Sequence, residues 1–180
     1  MLTKSQIRNK ILLRLKKQKE EDSGKKSRLI KNKLFKASVF KKAKIVMFYV
    51  SFGGEVQTQE MIKDAQELGK IVVVPVCKKN RAIKPCRFHA GANFTKGPYG
   101  VCEPASKKFI NLEDLDLVIT PGVAFDKKGN RLGRGKGYYD CFLKKLSHKT
   151  ATVGLAFDFQ VLPDIPATRQ DVKVNRVIFA

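Results

Sequence analysis

Residues 117–143 read LVITPGVAFDKKGNRLGRGKGYYDCFL, and the fold is read outward from them. The stretch opens on an apolar run, Leu117, Val118 and Ile119, and breaks at Pro121 and Gly122. Such a run with a turn behind it predicts a buried strand. A loop follows with glycines at 129, 133, 135 and 137, and with Arg131, Arg134 and Lys136 between them. Tyr138, Tyr139 and Asp140 then lead into Phe142, Leu143 and Leu146 at helical spacing. Glycines allow positive φ and close approach of backbone to a ligand. N–H groups that open a helix attract negative charge. Arg134 and Lys136 add mobile cations, and Asp140 one turn later can hold a cation on a phosphate. Strand, glycine loop and helix in this order predict an anion site.

The generic phosphate motifs do not fit. A Walker A loop needs Ser or Thr after Gly-Lys, whereas Gly137 follows Lys136 and Asn130 stands where the first glycine belongs. The glycine spacing is GxGxG, not the dinucleotide GxGxxG. A solvated basic linker is the competing reading, but it gives no reason for Tyr-Tyr-Asp running straight into a helix.

Upstream, residues 45–50 (IVMFYV) and 71–76 (IVVVPV) read as buried strands. Between them residues 52–56 turn, and Thr58 is placed to cap a helix reaching Leu68. Downstream, residues 151–156 and 177–179 read as further strands, with an irregular loop at 162–166. Thr3 and Gln6 form a capping-box pattern before Ile7, Ile11, Leu12 and Leu15, predicting a first helix over about 3–19. A second helix is predicted from 20–23 onward, carrying Leu29, Ile30, Leu34 and Phe35. Strands alternating with helices predict a mainly parallel sheet flanked by helices, in a single α/β domain over residues 1–180. Residues 77–105 are the least regular. Phe88, Phe94 and Tyr99 there either line a pocket or fill the core, residues 97–100 read as a turn, and Glu103-Pro104 closes the segment.

Composition bounds the function. The formal net charge is +21, from 37 Lys+Arg against 16 Asp+Glu, so polyanions are attracted. The basic residues are spread along the chain, and no RRM, KH or zinc signature accompanies them, which argues against specific nucleic-acid binding. No window is long and apolar enough for a membrane span. Cys77, Cys86, Cys102 and Cys141 form no CxxC pair, and His89 alone does not complete a zinc set. Free thiols in a reducing compartment, the cytoplasm, are expected. Neither His89 nor His148 is given a role. The basic first helix also has the look of a transit peptide, but a first helix of the fold is preferred.

The run over 121–143 resembles the signature of the 5-formyltetrahydrofolate cyclo-ligase family, also called 5,10-methenyltetrahydrofolate synthetases. The resemblance implies a Rossmann-like layout shared with ribose-5-phosphate isomerase and CoA-transferase-type folds. It implies ATP- and Mg²⁺-dependent conversion of 5-formyltetrahydrofolate to 5,10-methenyltetrahydrofolate through an iminium phosphate. ATP would be bound by Lys4 and Arg8, which share a helix face, and by Arg131, Leu132, Gly133, Arg134, Gly135, Lys136, Gly137, Tyr138 and Tyr139. Folate would be bound by Val50, by Glu55 through the pterin edge, and by Arg134, Gly135, Lys136, Gly137 and Tyr138. Arg134 and Lys136 would be catalytic, and Asp140 and Asp171 would hold the metal. Gln170 departs from the His or Asn that many relatives place before that aspartate. The implied partners are the folate, with or without a polyglutamate tail, and ATP, with no membrane and no specific nucleic acid, in a monomer. A nucleic-acid-binding protein, a phosphosugar isomerase and a non-catalytic relative are the alternatives.

Overall fold

The computed structural model describes residues 2–89, 94–96, 102–104 and 108–180, with the backbone alone for 94–96 and 102–104. Helix α1 (Lys4–Lys17) starts on the capping box: the Thr3 side chain accepts from the Gln6 N–H at 3.3 Å, and the Thr3 N–H donates to Gln6 Oε1 at 2.9 Å. Its apolar face buries Ile7, Ile11 and Leu15. The first helix is therefore part of the core. Helix α2 (Glu20–Lys36) begins on three acids that suit its positive end. Ile30 and Leu34 are buried, whereas Leu29 faces water. A one-turn helix, α3 (Ser38–Lys42), was not expected; it buries Phe40, whose ring stacks on Phe35 at 4.2 Å.

Strands β1 (Ile45–Met47), β2 (Ile71–Cys77), β6 (Leu117–Thr120), β9 (Ala151–Ala156) and β11 (Arg176–Phe179) build a parallel sheet. An antiparallel strand, β3 (Ile83–Arg87), caps one edge, and the order is β11-β9-β6-β1-β2-β3. β1 is shorter than its apolar run; the Phe48 N–H still reaches Val73 O at 2.8 Å, and then the chain leaves the sheet. β4 (Phe94–Lys96) and β5 (Cys102–Pro104) pair with each other. The side chains of Phe94 and Tyr99 and the turn expected at 97–100 lie outside the described residues.

Both sheet faces are covered, unequally. Val46, Phe48, Val72, Leu117 and Leu155 point to the face packed by α1, α2 and α4 (Gln59–Glu67). Met47, Val73 and Val118 point the other way, to Phe142 and Leu143 of the short helix α5 (Tyr138–Leu143). Thr58 precedes α4, but its hydroxyl does not cap it. That hydroxyl donates to Tyr49 O at 2.6 Å and accepts from the Ser51 N–H at 3.1 Å, tying down the segment that follows β1. Phe88, left between pocket and core by its sequence context, packs against the larger core cluster.

The glycine stretch is more structured than a loop. Residues 124–132 form a hairpin, β7 (Ala124–Asp126) and β8 (Arg131–Leu132), with β10 (Val161–Leu162) alongside β7. Asp126 organises it. Fully buried, it accepts from the N–H of Lys128 at 2.9 Å, of Asn130 at 3.0 Å and of Ile165 at 3.3 Å, and from Asn130 Nδ2 at 2.7 Å. Gly129 therefore closes a turn and does not belong to the anion loop; its carbonyl accepts from the Val174 N–H at 2.9 Å. The Phe125 ring sits against Gly122 and Gly154 so closely that a Cβ on either would lie 2.4 Å from it. No helix among the described residues is long and apolar enough to cross a membrane.

Candidate active site

The chain passes from β1 to β2 on one side of the sheet and to β6 on the other. Open α/β sheets bind ligands at the carboxyl ends of their strands where the order reverses in this way. A cleft of about 1180 Å³ lies there. Its floor includes Tyr49 and Val50 after β1, Cys77 ending β2, and residues 121–123 after β6. A single ligand pocket is commonly roughly 300–1,000 Å³, so this one has room for two substrates. Seven Lys and Arg residues line it against three Asp and Glu.

One wall is the glycine-rich stretch 131–137. Buried Gln160 holds the turn after β6, donating from Nε2 to Gly122 O and Val123 O at 3.0 Å each. The hairpin then delivers residues 131–137 to the cleft. Gly137 has φ +70° and precedes α5 as its N-cap, a left-handed conformation that turns the loop into the helix. Arg8 of α1 reaches across, its Nε donating to Gly133 O at 2.9 Å. Lys4, one turn earlier, pairs with Asp171 Oδ2 at 2.5 Å. The two cations expected on one helix face thus both lie in the cleft.

The opposite end is built on the turn after β1. Gly54 has φ +83°, and a Cβ there would meet Leu15 O at 2.5 Å, so only glycine lets this turn rest on the end of α1. Gln18 Nε2 donates to Gly54 O at 2.8 Å. Glu55 is thereby held in the cleft wall, where Oε2 accepts from the Phe52 N–H at 3.3 Å. Arg134 donates to Glu55 Oε1 from Nε at 3.2 Å and from NH2 at 3.1 Å, and its guanidinium lies 4.3 Å over the Phe52 ring. Burial raises the Glu55 pKa, and the Arg134 charge and the Phe52 N–H oppose that rise without cancelling it.

Asp140 and Asp171 both line the cleft. The Val172 N–H donates to Asp140 Oδ1 at 3.3 Å, which places the two carboxylates on adjoining segments. Arg131 is not an open ligand of the cleft. Its side chain is 3% exposed and donates from NH2 to Asp140 Oδ1 at 2.7 Å and from NH1 to Pro121 O at 3.4 Å. Asp171 also accepts from the Thr168 N–H and hydroxyl, at 2.6 and 2.9 Å. Burial pushes its pKa up, but the donors Lys4 and Thr168 outweigh that and leave it below the usual carboxylate range.

Among the described residues no three His, Cys, Asp or Glu cluster as a self-sufficient metal site. Mg²⁺ is commonly held by one or two carboxylates together with waters and substrate phosphates. Asp140 and Asp171 suit that mode, because the bonds above use Oδ1 of one and Oδ2 of the other. Leu132 is buried and Gly135, Lys136 and Tyr138 line the cleft with the rest of the loop. Sequence reasoning missed Phe52, Arg81 and Lys144 on the cleft walls. Nothing marks the last two in the sequence; Arg81 has φ +59° and follows Asn80 at φ +63°, a conformation that non-glycine residues seldom show. No disulfide joins the three cysteines with described side chains, Cys77, Cys86 and Cys141.

A mainly parallel α/β sheet with a cation-lined cleft at its switch point has the layout of an α/β protein suited to anionic ligands. Comparison with known proteins makes this specific. The model of the 5-formyltetrahydrofolate cyclo-ligase family matches residues 1–180. The mouse (Mus musculus) 5-formyltetrahydrofolate cyclo-ligase is 32% identical over 185 residues, covering 96% of this chain and 91% of that protein. The Escherichia coli K12 enzyme of the same name is 34% identical over 141 residues, covering 76% and 78%. The NMR structure of Aquifex aeolicus 5,10-methenyltetrahydrofolate synthetase superposes with a TM-score of 0.88 at 34% identity, covering 99% of this chain and 90% of that one. The chain belongs to the 5-formyltetrahydrofolate cyclo-ligase family.

Proposed function

We propose that residues 1–180 form one domain that closes 5-formyltetrahydrofolate to 5,10-methenyltetrahydrofolate at the expense of ATP, with Mg²⁺. The observation that carries this reading is the meeting, in one cleft, of the α1 cations, the 131–137 loop and the Glu55–Arg134 pair. Lys4 and Arg8 would take the triphosphate with the loop N–H groups. Glu55 would accept from the pterin edge, where a ring N–H and an amino group lie side by side. Val50 would pack beside the ring.

The formyl oxygen attacks the γ-phosphorus and ADP leaves. The resulting iminium phosphate carries a good leaving group where there was a poor one. N10 then attacks the formyl carbon, the C–O bond breaks with its electron pair on oxygen, and N5 closes the amidinium double bond. The proton lost from N10 ends on the released phosphate, so the step balances. Such transfers depend on positioning and charge neutralisation. Arg134 and Lys136 would meet the charge on the phosphoryl group. Asp140 and Asp171 would hold Mg²⁺, which when bound neutralises charge across the phosphate oxygens. The enzyme would work in the cytoplasm as a monomer, a state that the lining of the cleft by residues of one chain supports.

The test is growth of the methenyl chromophore with 5-formyltetrahydrofolate and MgATP, with ATP and Mg²⁺ each omitted in turn. Growth that needs both is expected. No growth with all components present refutes the reading.

A further inference from the structure

Tyr49, Tyr138 and Tyr139 all line the cleft, and the hydroxyls of Tyr49 and Tyr139 differ in their bonding. The Tyr49 hydroxyl is buried and donates to Val56 O at 3.0 Å, so its bonding is met within the protein. The Tyr139 hydroxyl is also buried and has no hydrogen-bond partner. Its ring is packed on several sides. It meets Phe142 edge-on, with centroids 6.1 Å apart and planes at 78°, and the Arg131 guanidinium lies 5.8 Å from its centroid. It also packs against the core clusters on both faces of the sheet. Buried polar groups in native proteins are nearly always paired, and an exception calls for a reason.

Its surroundings give one. Tyr139 lines the cleft together with Cys77, Glu55 and Arg131. A phenolic hydroxyl can donate one hydrogen bond, and this one has not spent its proton within the protein. Glu55 belongs to the folate end of the cleft, and Arg131 is bonded to Asp140 at the metal end. The substrate atom that lies between a pterin edge and a transferring phosphoryl group is the formyl oxygen.

We propose that the Tyr139 hydroxyl is a catalytic hydrogen-bond donor to the oxygen of the bound N5-formyl group. This rests on the cyclo-ligase reading and assigns Tyr139 to the reacting centre instead of to ATP alone. The oxygen has two lone pairs: one attacks phosphorus and the other accepts from Tyr139. When the C–O bond later breaks, the electron pair stays on that oxygen, and the hydrogen bond strengthens as the charge grows. Nothing is transferred to or from the tyrosine.

Tyr139→Phe keeps the packed ring and removes the hydroxyl alone. Loss of one preorganised donor is expected to lower kcat roughly tenfold to a thousandfold. The KM for ATP should move by less than about threefold, because the bond strengthens only in the transition state. The melting temperature should hold or rise, because an unpaired buried hydroxyl has been removed. Wild-type kcat in the variant would overturn the inference while leaving the cyclo-ligase reading intact, and so would a fall in kcat matched by a fall in melting temperature. Absence of turnover in the wild type would overturn both.

Discussion

Asp126→Ala tests whether the hairpin under the anion loop depends on one carboxylate. The residue is fully buried and accepts four hydrogen bonds. Of the backbone donors, those of Asn130 and Ile165 are in buried surroundings. Each stranded buried donor costs about 1–3 kcal/mol, which gives about 2–6 kcal/mol for the two. Removing a buried charge and admitting a water offset part of that. A net loss of about 3 kcal/mol is expected, and at about 2–4 °C per kcal/mol for a chain of this size the melting temperature should fall by about 6–12 °C. Asp126→Asn should also destabilise, because its amide turns donors toward the donors of Asn130. Thermal melts followed by circular dichroism, with urea midpoints as a check, read this directly. A variant melting within about 2 °C of wild type would refute the reasoning and show that the turn holds without its acceptor.

Asp140→Asn removes a charge that a hard cation needs and should lower turnover by roughly two orders of magnitude, with calorimetric MgATP binding weakened; wild-type turnover at saturating Mg²⁺ takes Asp140 out of the site. Glu55→Gln should weaken 5-formyltetrahydrofolate binding roughly tenfold to a hundredfold, on a charge-assisted bond of about 1.5–3 kcal/mol, and leave ATP binding unchanged; an unaltered folate titration demotes Glu55 to a partner of Arg134. Lys4→Ala and Arg8→Ala should each raise the KM for ATP by roughly tenfold or more, from the loss of a charged hydrogen bond. Arg8→Lys should rescue only partly, because a guanidinium fork fits phosphate as an ammonium cannot. Unchanged ATP kinetics in both alanine variants would leave the triphosphate to the 131–137 loop.

The elements that were legible beforehand are those with strong local signals. Thr3 and Gln6 form the capping box they spell, and the apolar runs at 45, 71, 117 and 151 are strands of one mainly parallel sheet. Lys4 and Arg8 were singled out by the family resemblance and set on one helix face by helical period, and they do share the cleft. What local pattern could not show was the use of each polar group. Thr58 looked like a cap but bonds Tyr49 and Ser51, because the turn after β1 offered unpaired groups nearer than the helix end. Arg131 looked like an open cation among others, and its burial is set by Asp140 and Pro121 across the fold. The hairpin could have been read, since Asp126 and Gly129 stand at the first and fourth positions of a turn; the neighbouring glycines drew the eye to a loop. Arg81 adopts a left-handed conformation that its residue type does not announce, next to Asn80, a type that tolerates it.

The contact of Phe125 with Gly122 and Gly154 bears on how such a chain can drift or be redesigned. With a Cβ position only 2.4 Å from the ring at both glycines, no side chain enters at 122 or 154 while Phe125 stays. Shrinking Phe125 first opens a hole among Ala156 and Val174, at a cost of about 3–5 kcal/mol if the replacement is alanine. Enlarging a glycine first overpacks the same space, at about 1–3 kcal/mol or more. Each single step is therefore penalised, while a smaller ring-side residue joined with alanine at one glycine restores part of the volume. Positions 122, 125 and 154 consequently vary as one unit, and a mutational library that samples them singly will find all three immutable when only their combination is constrained.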